Sequence, residues 1–184
     1  MRPVPGDITE LLNAHKSGHP TALKRVIELV YQEVLGIARR QRWHHRAGHG
    51  TSSLAHAALE RLLLEAPADW QSRGHFLAVL ARTMRRVMVD EARKSHAQKR
   101  GGGEVPAELD PELAGSRVEL ELVVVVSEAL GKMEAFHQRM AQVVECRVFG
   151  GLTEEETAAA LDLPLRTVQR DWQRGRAWLK LALQ

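Results

Sequence analysis

Several things are scarce in these 184 residues, and each scarcity excludes a class of protein. Cysteine occurs once, at Cys146, so no internal disulfide can form, and a lone thiol fits a reducing cytoplasm. Within "VVECRVF" that thiol reads as a small buried apolar group rather than an exposed redox sensor. No apolar run approaches the roughly 18 residues a membrane span needs. The opening "MRPVPGDITE" lacks the apolar stretch of a secretory signal. Strand candidates are almost absent too. Only "LELVVVVSEAL" favours a strand locally, and nothing else is available to pair with it, so it reads as helix among helices.

Catalytic constellations are equally scarce. His44, His45, His49 and His56 cluster, and His45 with His49 has a helical ligand spacing. No HExxH, cysteine pair or supporting carboxylate accompanies them, and Gly48 interrupts the helix that would align the pair. No Gly-x-Ser-x-Gly elbow surrounds a serine, and Gly101, Gly102 and Gly103 lack the Lys-Ser/Thr of a phosphate loop. The expectation is therefore no catalytic residue, no metal and no cofactor.

What remains is charge in blocks and apolar residues at helical spacing. From Arg73 to Arg100 eight bases face two acids; from Glu104 to Glu128 seven acids face one base; from Pro164 to Lys180 five bases face one acid. Two basic modules separated by an acidic stretch point to a polyanion partner held at two places. The spacing predicts a short helix over 7–16, broken by "SGHP". A second begins at Pro20, with Leu23, Val26, Ile27, Val30, Val34, Leu35 and Ala38 facing the core. A third starts in "GHGTSSLAHAALERLL" and stops near Pro67. A fourth, from about Gly74, carries Phe76, Leu77, Leu80, Ala81, Met84, Val87 and Met88 on one side and Arg82, Arg85, Arg86 and Arg93 on the other. "KRGGGEVPAELDPELAG" reads as a flexible linker over 101–117. The expected organisation is all-α, with helical domains over 1–100 and 118–184.

The last 45 residues carry the most specific signal. Thr153 with Glu156 forms a capping box for a short helix ending near Leu161. "DLP" is a tight turn. A second helix then places Leu165, Val168, Trp172 and Leu179 on one face and Arg166, Gln169, Arg170 and Gln173 on another. That is a helix-turn-helix: long polar side chains at the start of the second helix reach base edges, and Arg174, Arg176 and Lys180 sit nearer phosphates. Trp43, Trp70, Trp172 and Trp178 are read as packing residues.

"VVECRVFGGLTEEETAAALDLPLRTVQRDWQRGRAWL" and "HFLAVLARTMRRVMVDEARKSHAQKRGGG" resemble, in that chain order, regions 4 and 2 of a bacterial sigma factor of the extracytoplasmic-function (ECF) group. "RTVQRDWQRGRAWL" with "KRGGG" points to an ECF-like subgroup in which "TVKRDW" is usual. The resemblance implies core RNA polymerase and promoter DNA as partners. Contact with the −35 element would come from Arg166, Thr167, Gln169, Arg170, Gln173, Arg174 and Arg176, and with the −10 element from Arg82, Arg85, Arg86, Arg93 and Lys94. Polymerase would be met at the β′ clamp helices, through Thr51, Ser52, Ser53, Leu54 and His56, and at the β flap. The acidic linker would run near the RNA path.

Three departures qualify the resemblance. Where the group has a run of acids before the clamp-docking helix, this chain has Gly50, Thr51, Ser52 and Ser53, with Ala57 at another usual acid. Pro164 replaces a common Ser, and Gln169 a frequent Lys. Some kinase-controlled ECF-type factors lack the same acids and use a phosphothreonine there, which makes Thr51 the candidate for phosphorylation. Control by an anti-sigma factor is the other option that the resemblance implies. A DNA-binding regulator that does not recruit polymerase is the competing expectation.

Overall fold

The computed structural model describes residues 5–40, 51–65, 72–101 and 111–184. Among them there are eight α-helices and no strand. Helices α1 (Pro5–Lys16) and α2 (Pro20–Arg40) form an antiparallel pair, joined by a turn in which Gly18 takes φ +87°. Helix α3 (Thr51–Glu65) packs on α2, and α4 (Arg73–Gly101) packs on α3. After residues 102–110 come α5 (Pro111–Phe136), α6 (Gln138–Val148), α7 (Glu154–Leu161) and α8 (Leu165–Ala182).

Helix α5 begins at Pro111, inside the stretch expected to be linker. Proline is favoured at a helix start, where its missing N–H costs nothing. The four valines lie within α5: Val123 and Val126 are buried with Leu130 and Met133, while Val125 faces solvent. A helical stripe, rather than a strand, therefore uses this apolar run. Of the site assignments, His44, His45, His49, Trp43, Trp70 and Gly50 fall outside the described residues.

Helix α4 is central. It touches α3 on one side and α5, α6 and α7 on the other. One continuous cluster accordingly runs from Val26 and Leu54 through Phe76, Leu80 and Met84 to Leu130, Val144 and Leu179. At roughly 1.5–3 kcal/mol for each large apolar side chain fully buried, this shared core is the main force holding the two halves together. No described helix is long and apolar enough to cross a membrane.

Candidate nucleic-acid interfaces

The helix-turn-helix is built locally. Thr153 Oγ1 accepts from Glu156 N at 3.1 Å and Thr153 N donates to Glu156 Oε2 at 2.8 Å, so both halves of the expected capping box form. Asp162 ends α7 in the left-handed conformation, φ 51°, and the chain turns into α8. Pro164 supplies no side-chain cap, yet its carbonyl accepts from Thr167 N and Val168 N at 2.8 and 3.2 Å. The proline therefore starts α8 without its hydroxyl.

Val168, Asp171, Gly175 and Leu179 form the buried face of α8. Gly175 is required there, since a Cβ would lie 2.3 Å from Val144 Cγ2 of α6. On the other side Arg166, Gln169, Arg170, Gln173, Arg174 and Arg176 are all exposed, and Thr167 is half-buried beside them. Leu165, placed by its spacing on the inner face, is exposed instead; it is the first residue of the helix, three positions before the first buried one. Trp172 is a packing residue, as expected, with the Arg147 and Arg176 guanidiniums 5.2 and 5.6 Å from its ring centre. Trp178 also packs on the core.

Two acids tune this face. Gln169 Nε2 donates to Glu154 Oε2 of α7 at 3.1 Å. Asp171 is only 3% exposed; its Oδ2 accepts from Arg139 Nε at 2.7 Å and its Oδ1 lies 3.6 Å from Arg170 Nε. The hydrogen bond and charge of Asp171 raise the Arg139 pKa above its ordinary value. Asp171 was legible as the sole acid in the last basic block. Such an isolated acid calls for buried partners.

The second row of arginines has a different setting. Arg82, Arg85, Arg86 and Arg93 of α4 line one cavity of about 420 Å³, together with Arg61 of α3 and Glu145 of α6. Arg85 is largely covered, with its Nη1 3.0 Å from Glu145 Oε1 and its Nε 2.9 Å from Ser127 Oγ. Arg82 lies 3.6 Å from the other Glu145 oxygen. Arg61 pairs with Asp90. Arg86, Arg93 and Lys94 are exposed, and Lys94 Nζ sits 3.3 Å from Glu91. The solvent side expected for Arg85 is thus covered by the second half of the chain. Glu145 was the missed residue; an acid inside "VVECRVF" is the signal that could have found it, because a carboxylate in an apolar run needs a cationic partner.

At the third candidate site α3 begins at Thr51 and has no acid in its first turn. Ser53 and His56 are exposed, and His56 Nδ1 lies 3.4 Å from the Tyr31 hydroxyl with the rings edge-on. Leu54, by contrast, is 3% exposed and belongs to the core. Its position follows from the apolar stripe it opens with Ala58 and Leu62, both buried. Cys146 is buried as expected, and burial pushes its thiol up to about 12.

A capped helix-turn-helix with an exposed basic face, joined through one core to a helix bearing a second arginine row, is an arrangement suited to a DNA-binding protein. The model of the ECF sigma factor family matches residues 5–184, and the chain belongs to that family. Its members bind core RNA polymerase and promoter DNA and direct promoter-specific transcription. Among curated proteins no sequence matches the chain.

Proposed function

We propose that this chain is a cytoplasmic initiation factor whose polymerase binding is switched on by phosphorylation at the start of α3, at Thr51 first and at Ser52 or Ser53 in reserve. Promoter contact is divided between α8 at the −35 element and α4 at the −10 element. Polymerase is met through the start of α3 at the β′ clamp helices and through the C-terminal half at the β flap. The observation that carries the switch is that α3 starts at Thr51 with no acid in its first turn. A helix start attracts negative charge through its dipole and free N–H groups. A phosphate would bring about −1.5 to −2 charges and strong acceptor oxygens to that place. The partner this reading calls for is a Ser/Thr kinase rather than an anti-sigma factor.

The test compares polymerase binding and run-off transcription by untreated protein, kinase-treated protein and Thr51→Ala. Charge-assisted contacts of about 1.5–3 kcal/mol correspond to roughly ten- to hundredfold tighter binding after phosphorylation, lost in Thr51→Ala. Full activity of unmodified Thr51→Ala would end the switch reading. The neutral α3 start also suits a regulator that never recruits polymerase. For that protein no modification would produce polymerase binding, while −35 duplex binding would persist.

A further inference from the structure

Three acids open α7, and each has a different surrounding. Glu156 closes the capping box with Thr153, and Glu155 is exposed. Glu154 is half-buried and turned towards the start of α8, where its Oε2 accepts from Gln169 Nε2 at 3.1 Å. The helix dipole accounts for acids in this turn, but not for one of them holding a glutamine of the exposed α8 face.

Backbone features fix both ends of this contact. The capping box sets where α7 begins, and the Pro164 carbonyl, accepting from Thr167 N and Val168 N, sets where α8 begins. Val168, the neighbour of Gln169, is fully buried. Only side-chain torsions are left to vary between the two residues.

The chemistry of the pair then decides which way the amide faces. A carboxylate has acceptors only, whereas a glutamine amide has an acceptor oxygen and two N–H donors. Turning the amide over would set Oε1 against the carboxylate, with no proton between two acceptors. Nε2 therefore stays on the Glu154 side, and Oε1 with the remaining N–H is left for a base. In the major groove adenine presents the matching N6–H donor and N7 acceptor, while guanine presents two acceptors, O6 and N7. A freely turning glutamine could offer N–H groups to guanine; one held by Glu154 meets it with an oxygen.

Resting on the reading of α8 as the −35 helix, we infer that Glu154 is a positioning residue for base selection. Its hold on the Gln169 amide commits that side chain to adenine, and against guanine, at one base pair of the −35 element. Glu154 touches no base itself and acts through Gln169.

The experiment is a selection from a pool of randomised duplexes by the full chain, run for wild type, Gln169→Ala, Glu154→Ala and Glu154→Gln. The base pair read by Gln169 is the one whose preference disappears in Gln169→Ala. There wild type should select adenine over guanine by roughly five- to a hundredfold, the range of one bidentate contact. Glu154→Ala should bring that ratio close to one and leave the other base pairs as they were. Glu154→Gln removes the same charge but keeps an acceptor, and its ratio should fall between the two. A carboxylate that merely repels phosphates would give another pattern, with both variants binding every sequence more tightly and the ratio unchanged. That result would overturn the inference, as would guanine selected by wild type or a preference that Gln169→Ala leaves intact at every base pair. The −35 reading is judged separately, by placing the selected sequence at the −35 position of a promoter and measuring transcription by the holoenzyme. No gain there would sink that reading, whereas an unchanged ratio in Glu154→Ala would remove the role of Glu154 alone.

Discussion

Arg170 and Asp171 are neighbours in α8 with opposite environments. Asp171 is buried and holds Arg139, which ties α8 to α6; Arg170 is exposed beside it. A tethered but solvent-facing arginine has less freedom to lose on meeting a base edge. Arg170→Ala should therefore cost about 1–3 kcal/mol on a matched −35 duplex and little on a scrambled one, if it reads a guanine. Equal losses on both duplexes would make it a phosphate contact instead. Cys146 offers a second test at this scale. Its thiol rises from an ordinary 9.0 to about 12 because burial disfavours the thiolate, with Glu145 adding to the effect. A folded-state value above the unfolded one means stability present below pH 9 and lost as pH rises towards 12. Wild type should lose on the order of 1 kcal/mol per pH unit more than Cys146→Ala across that window. Denaturant titrations of the pair at several pH values measure the difference.

At the scale of the element, local chemistry was legible and side-chain partners were not. The capping box, the turn at Asp162 and the limits of α7 follow from residues within a few positions of one another, and each forms as its spacing indicates. Thr153→Ala should cost about 1 kcal/mol of stability, read by thermal melts, with −35 duplex affinity falling as the turn loosens. The valine run was ambiguous, because β-branched residues favour strands locally and only the packing of Val123, Val126 and Leu130 against the rest of the core decides for helix. Leu54 shows the converse. A motif position suggested docking, while the helical stripe that Leu54 shares with Ala58 and Leu62 places it in the interior of the free chain.

For the whole molecule, the pairing of Arg85 with Glu145 spans 60 positions and crosses the acidic stretch, and no periodicity in either helix reports it. Residue types alone could say that Arg85 was basic and Glu145 oddly placed; only the fold brings them together. Of the two basic rows, that on α8 is exposed throughout, whereas on α4 Arg85 is covered and Arg86, Arg93 and Lys94 are exposed, and DNA binding through either row would have a salt-dependent signature. Each phosphate neutralised contributes about 0.9 to the slope of log affinity against log salt. If Arg174, Arg176 and Lys180 reach phosphates, the free chain on a −35 duplex should show a slope of about −3. Lys180→Ala and Arg174→Ala should each make it shallower by about one. Arg85→Ala should not make it shallower, because that guanidinium is engaged with Ser127 and Glu145. A fall in slope for Arg85→Ala as large as that for Lys180→Ala would mean that α4 reaches DNA in the free protein and that Arg85 leaves Glu145 to do so.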